Sequence, residues 1–304
     1  MKYAAALGTA NCDLLYGGMP RVPGEGTEVF AKSLEMKLGG GAPAVMIHLH
    51  RLGVPTALCT FLGKDMFSSF VEKEIARSGM PCENLYEGDK MPVTVTSVMI
   101  TPEDRTFASY QDEFAFTKEM EDRACRILSG ASHVRMQLEN LNLYRRLKKE
   151  HPEICLVLDF GWDSVRPAEE LEPYFAIADY YTPNLKEALA VTGTDSPKEA
   201  ARVLKRYFEV PIVKLGKEGC LVYRNGEDVI IPPLPGTVSA DATGAGDAFL
   251  SGFLYGLYHG YDVLDSVRFG NVLGGRCVEK IGCLESVVTE EDLLRDAQRI
   301  RSVV

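Results

Sequence analysis

The segment Asp241-Ala242-Thr243-Gly244-Ala245-Gly246-Asp247-Ala248-Phe249-Leu250-Ser251-Gly252-Phe253 is a glycine-rich turn that runs into an apolar helix. Small residues let a backbone approach a ligand closely, and the first N–H groups of a helix have no partners within it. With the helix dipole they form an anion site, which a phosphate, a carboxylate or a developing oxyanion would suit. Asp247 falls in the first turn of that helix. An acidic residue there complements the dipole, worth about 0.3–1 kcal/mol, and that alone could account for it. A carboxylate beside an anion site repels the anion, however, unless it has a second task. Accepting the proton of a hydroxyl that attacks a phosphate is such a task, and phosphoryl transfer asks a protein mainly to align and to stabilise charge. The segment points to a kinase.

Working outward, no G-x-x-x-x-G-K-[ST] occurs, so the chain has no Walker loop. Gly39-Gly40-Gly41-Ala42-Pro43-Ala44 loosely fits the G-x-G-x-x-A of dinucleotide binders. That motif demands a buried βαβ unit, whereas Leu34–Leu38 before it alternates apolar and polar and is not the first strand. A tight turn opening a helix over 42–52 is the better reading, and an NAD oxidoreductase is disfavoured.

From about residue 116 the pattern alternates between helix and strand. It predicts a helix over 117–129, a strand at Ser132–Met136, and a helix carrying Leu141, Tyr144 and Leu147 on one face. The strand Ile154–Phe160, a helix near Pro167–Ile177, the short strand Tyr180–Thr182 and a helix from Leu185 follow. This is the rhythm of a parallel sheet covered on both faces, and the continuous apolar run Ile154–Leu158 suits a doubly buried strand. The fold class expected is α/β, a doubly wound, mostly parallel central sheet. Two segments read differently: 14–38 and 91–112 contain period-2 stretches, with a turn at Thr101–Arg105 closing a hairpin. They are expected to pair into a small β-sheet lid, leaving 1–13, 39–90 and 113–304 as the core.

The 304 residues carry 33 Lys+Arg against 43 Asp+Glu, a net charge of −10, with 46% hydrophobic residues. Such a chain buries a large core, about 75% of its unfolded surface. Its charge disfavours nucleic acid and anionic membrane as partners, though a small anion needs only a local positive pocket. No apolar run reaches the roughly 18 residues of a membrane span. The stretch Met1–Gly8 could pass for a signal peptide, but Asn11 and Asp13 interrupt it, and a buried first strand is expected instead. The eight cysteines are scattered without a C-x-x-C, as free thiols in a reducing cytoplasm would be. His48 and His50 are two apart on a helix and face different ways, so no metal pair is expected.

These features together resemble the ribokinase-like (PfkB) carbohydrate kinases, in order along nearly the whole chain. Asp241–Asp247 is similar to the family's D-x-T-G-A-G-D motif. Gly39–Gly41 with Arg51-Leu52-Gly53 resembles its N-terminal motif, Asn184-Leu185-Lys186-Glu187 its N-x-x-E motif, and Asn11-Cys12-Asp13 its substrate-binding segment. The resemblance implies a ribokinase-like fold that uses ATP and Mg²⁺. It makes Asp247 the general base and the backbone of Gly244, Ala245 and Gly246 the anion hole. Asp13, Gly40 and Gly41 would hold sugar hydroxyls beneath the lid. Asn184 and Glu187 would hold Mg²⁺ through water. Lys214, Gly216 and Gly219 form a strand-end loop meeting the nucleotide, joined there by Thr243, with Asn271 near adenine. Asp241 and Ser286 match a loop that holds a monovalent cation such as K⁺ in some members, and ribokinase-like pairing of two lids implies a homodimer.

Blander readings stand beside these. Asp13 suits a turn, Glu187 an exposed first helical turn, and Asn184 an ordinary N-cap. Arg105 is either a solvated turn charge or a hand reaching the substrate, and Asp159 ends a strand facing the ligand crevice. One departure bears on substrate: Ala44 stands where the family often has an Asn that contacts sugar hydroxyls, and alanine offers no such bond. The expected activity is phosphorylation of a primary hydroxyl on a small sugar or sugar-like molecule. A nucleoside kinase, a phosphosugar kinase and a catalytically inactive nucleotide- or sugar-binding regulator are the rivals.

Overall fold

A computed structural model describes residues 2–161 and 164–301. Strand β1 (Ala4–Leu7) is buried along its whole length, with Ala4 and Ala6 facing one core and Ala5 and Leu7 the other. A first strand of this kind is what the opening residues predicted. The chain then leaves for β2 (Asn11–Gly17) and β3 (Ser33–Gly39), an antiparallel pair. Helix α1 (Gly41–Arg51) leads back to β4 (Thr56–Thr60), and α2 (Met66–Ser78) to β5 (Cys82–Asn84). The hairpin β6 (Thr94–Ile100) and β7 (Arg105–Tyr110) makes a second excursion, β6 lying parallel beside β2.

The expected alternation follows: α3 (Lys118–Leu128), β8 (His133–Met136), α4 (Leu141–Glu150), β9 (Cys155–Leu158), α5 (Ala168–Phe175), β10 (Tyr180–Tyr181), α6 (Leu185–Thr192) and α7 (Pro197–Leu204). A small antiparallel sheet of β11 (Ile212–Lys214), β12 (Cys220–Arg224) and β13 (Glu227–Ile231) comes next. Helices α8 (Ala245–Tyr258), α9 (Val263–Cys277) and α10 (Glu290–Arg301) complete the chain.

The six-stranded sheet has the order β10-β9-β8-β1-β4-β5 and is parallel throughout. One core lies under α1, α2, α8, α9 and α10, with Met46, Phe253 and Leu293 among its buried residues. The other lies under α3 to α7, around Leu128, Tyr144, Leu171 and Leu204. Connections run outward from β1 to β5, then restart at β8 on the other side of β1. The crevice beyond the carboxyl ends of β1 and β8 is therefore the switch point at which an open α/β sheet binds ligands.

The four-stranded sheet has the order β3-β2-β6-β7. Strand β2 starts at Asn11, so Asp13 lies inside it, between partners on both sides. The small β11–β13 sheet was not anticipated; a parallel bridge between Asn184 and Lys214 joins it to the edge of the main sheet. Pro232 to Gly236 breaks the chain out of β13 toward the glycine-rich segment. All eight cysteines are free thiols, and only Cys82 is exposed.

Candidate active site

The glycine-rich turn opens α8 as its composition requires. Gly244 caps the helix in the left-handed region (φ 75°), and a Cβ there would stand 2.2 Å from Cβ of Cys283. Both conformation and space demand glycine. Gly40, before α1, is left-handed too (φ 94°), and a Cβ would meet the carbonyl of Thr9 at 2.9 Å. These two turns bring α8 and α1 to the switch point with their amino ends free.

Asp247, on the first turn of α8, shares one cleft with Asp13, Lys37, Gly40, Gly41, Arg105, Asp241 and Thr243, a cavity of about 270 Å³. Contacts fix the arrangement closely. A Cβ on Gly41 would lie 2.9 Å from Oδ1 of Asp247, and one on Gly39 would lie 2.3 Å from Oδ2 of Asp13. A larger pocket of about 430 Å³, between Leu85, Phe114 and Arg123, shares none of these residues. We place the site in the smaller cleft because the convergent charged groups are there.

Burial raises both carboxyls: Asp13 is pushed up to about 6. Asp247 is raised by burial and by the nearby Asp159 and Glu187, against the pull of Arg135 and Lys214. Asp241 behaves differently. Burial alone would raise it, but the Thr243 and Gly282 N–H groups, at 2.8 and 2.9 Å, and the charge of Arg105 hold it below the usual range. Arg105 donates through Nη1 to both Asp241 and Thr243, so this charge of the four-stranded sheet reaches the glycine-rich segment.

On the other side of the anion turn stands Lys214. Its Nζ is 3.4 Å from where a Cβ on Gly246 would be and lies over the Phe249 ring, 5.6 Å from the centroid. Asn184 caps α6 by accepting the Glu187 N–H at 3.0 Å, while its own N–H donates to Oε2 of Glu187 at 2.8 Å. The ordinary N-cap reading is thus realised, as a full capping box. Glu187 is buried rather than exposed, and that burial raises its carboxyl despite Lys214. Gly216 and Gly219 flank the short 3-10 turn after β11, both at positive φ, and a Cβ on Gly219 would fall 2.1 Å from the Ile231 carbonyl. Asn271 spends both Nδ2 hydrogens on the carbonyls of Ile231 and Pro232, each at 2.9 Å. Only its side-chain oxygen is left for a base. Ser286 is buried, and Ala44 is enclosed within α1.

Sequence reasoning missed Arg135. It sits on β8, buried, with Nη2 donating to Asp159 at 2.8 Å and 2.7 Å from where a Cβ on Gly41 would be. Its signal was a guanidinium between the apolar Val134 and Met136 in a strand whose last three residues are buried. The residues also permit a test for metal. No cluster of three His, Cys, Asp or Glu able to hold an ion exists among the described residues. A lone carboxylate such as Glu187 does fit Mg²⁺, which keeps water and phosphate oxygens as most of its ligands.

A glycine-rich turn opening a helix, a half-buried carboxylate on that helix's first turn and a doubly wound sheet with a side sheet are features of a phosphoryl-transfer enzyme of the ribokinase type. The chain belongs to the pfkB family of carbohydrate kinases, whose profile matches residues 1–290. It is an ATP-dependent carbohydrate kinase. Among curated relatives, an uncharacterized sugar kinase of Archaeoglobus fulgidus is 26% identical, covering 80% of this chain and 99% of its own. A 5-dehydro-2-deoxygluconokinase of Clostridium tetani is 24% identical, covering 84% and 82%. Among solved structures, Arabidopsis thaliana ribokinase complexed with ribose and ATP superposes with a TM-score of 0.86 at 22% identity, covering 98% and 99%. No helix among the described residues is long and apolar enough to cross a membrane.

Proposed function

We propose that the chain transfers the γ-phosphoryl group of ATP to a primary hydroxyl of a small sugar bound between the two sheets. The observation that carries this is the meeting of the Asp247 carboxylate, Asp13 and Gly244, the residue that caps α8, around one cleft. Asp247 orients the hydroxyl and takes its proton as the bond to phosphorus forms; a raised carboxyl is the better acceptor for that proton. The backbone at Gly244, Ala245 and Gly246 receives the negative charge of the transferring group, with Lys214 beside it. Asp13, Gly40 and Gly41 hold the other hydroxyls, and Arg105 bounds the cleft from above.

Glu187 and Asn184 would hold the magnesium of Mg-ATP through water, and the loop from Lys214 to Gly219 would run along the nucleotide, with Asn271 behind the base. When bound, the metal neutralises phosphate charge and aligns the transferring group. A monovalent cation at Asp241 and Ser286 would have to compete with Arg105 for the same carboxylate. The lid is the four-stranded sheet, which excludes water during transfer. Phe30, Leu34, Phe107 and Tyr110 of that region are exposed. Pairing of two lids in a cytoplasmic homodimer would cover such surface.

An ADP-release screen tests the reading, using ribose, 5-dehydro-2-deoxygluconate, phosphosugars and nucleosides as acceptors. Turnover with a sugar acceptor is expected; ATP binding without turnover on any of them would favour the regulator. The anionic-sugar reading has one observation in its favour: Lys37 and Arg105 both line the cleft, though Lys37 is paired with Glu35 and Glu285 at 3.0 Å each.

A further inference from the structure

We propose that Arg135, held by Asp159 behind Gly41, is a positioning residue whose charge keeps the Asp247 carboxylate ionised and seated for its task. The proposal rests on Asp247 being the base. Arg135 lies on β8 next to β1, where Ala6 is its registered partner, and so under the switch point itself. The missing side chain of Gly41 leaves one small volume faced by both Nη2 of Arg135 and Oδ1 of Asp247, at 2.7 and 2.9 Å from a Cβ placed there. The two atoms are thus within the range of about 4–6 Å over which an opposite charge favours an ionised carboxylate. The direct ion pair goes to Asp159 instead, at 2.8 Å.

That pair is single-pronged. Nη1 makes only a long bond to Gln137, 3.4 Å, and Nε has no partner among the described residues. A bidentate pair would spend the guanidinium on its neighbour; this one leaves positive field directed at α8. A buried ion pair is also a poor source of stability, often matched by apolar residues of similar volume, so a purely structural role explains Arg135 weakly. Its effect on Asp247 is explicable in every direction. Asp159 and Glu187 oppose ionisation, Lys214 favours it from the far side, and the neutral thiols of Cys277 and Cys283 lie beneath the turn. Arg135 is the cation on the sheet side, and Asp159 sets how much of its charge Asp247 feels.

The test titrates Asp247 directly, without nucleotide, metal or acceptor. Protein labelled with ¹³C at aspartate carboxyls is followed by NMR across pH, the Asp247 resonance being the one lost in Asp247→Asn. Arg135→Met should move its midpoint up by about one pH unit or more, and Arg135→Lys should move it much less. Asp159→Asn should move it down, because a like charge is removed and the guanidinium is freed. An unmoved midpoint in Arg135→Met, or a shift of the same sign in Asp159→Asn, would overturn the proposal. Should Arg135→Met fail to fold, Arg135→Gln decides: a raised Asp247 midpoint supports the proposal and an unmoved one overturns it. Turnover of Asp247→Asn judges the base assignment separately: normal activity there removes that reading whatever the titration gives.

Discussion

Arg105, the first residue of β7, is bonded to Asp241, the first residue of the glycine-rich segment, and ties the four-stranded sheet to the turn that opens α8. The guanidinium is one-quarter exposed and the carboxylate nearly buried, 25% against 8%. An ion pair so placed is worth little in global stability but much in position.

Arg105→Ala should therefore free the sheet rather than unfold the protein. Amide hydrogen exchange in β6 and β7 should quicken while the core strands keep their protection. The KM for the sugar acceptor should rise on the order of tenfold, equivalent to about 1.4 kcal/mol. Unchanged exchange and unchanged KM would show that Arg105 is a bystander of the cleft.

Acidification should act on Asp13 in two opposed ways. Its folded pKa is about 6, raised by burial, so the folded state holds this proton more tightly than the unfolded state. The associated stability is fully present below the unfolded value near 3.8 and is lost as pH rises through 6. Asp13→Asn should accordingly flatten the pH dependence of the melting temperature between pH 4 and 7, with its gain largest at pH 7. Acceptor affinity should follow the opposite course, because a protonated Asp13 no longer offers two acceptor oxygens to hydroxyls. A KM that stays flat below pH 6 would contradict its role at the substrate.

The two glycines of the anion turn should respond unequally to alanine. At Gly244 the new Cβ meets Cβ of Cys283 at 2.2 Å in a left-handed backbone; at Gly246 it meets only the mobile Nζ of Lys214, at 3.4 Å. Gly244→Ala should cost about 1–3 kcal/mol in denaturant unfolding and most of the activity. Gly246→Ala should leave stability near wild type and lower turnover by crowding the phosphate. Equal losses of stability would argue against this account of the turn.

Capping and charge can be separated at Glu187. A glutamine keeps an oxygen for the Asn184 N–H and so preserves the capping box, but it removes the carboxylate. Glu187→Gln should melt within a few degrees of wild type while the Mg²⁺ concentration for half-maximal turnover rises several-fold. Asn184→Ala should show the reverse weighting, with about 1 kcal/mol lost from α6. A magnesium requirement untouched by Glu187→Gln would return that residue to a purely structural role.

Much of the fold was legible because its signals are local. The apolar run through β9, the helical spacing of Tyr144 and Leu147, and the glycines before α1 and α8 each act within a few residues, although the buried face of α4 takes Leu143 where Leu141 was expected. The N-cap at Asn184 was legible for the same reason. What escaped depends on partners distant in the chain. Arg105 and Asp241 are 136 residues apart, and nothing near Arg105 says that it will be paired. Asp13 reads as a turn residue, yet it lies mid-strand because β3 and β6 flank β2. Asn271 offered itself as a contact to a base, while its amide is taken by carbonyls 40 and 39 residues earlier. Arg135 passed unremarked because a lone guanidinium in a short strand names no partner; only the crossing of β1, β8 and α8 gives it a neighbour to act on.

Asp247 is the claim on which the chemistry turns, and its substitution by asparagine is the most direct test. The amide keeps the size and one acceptor oxygen but cannot take a proton at neutral pH. General-base assistance contributes about 10²–10⁴-fold, so phosphoryl transfer to the acceptor found in the sugar screen should fall by that factor. ATP affinity, measured by calorimetry on the same protein, should stay within a few-fold of wild type. Turnover near the wild-type rate in Asp247→Asn would contradict the account.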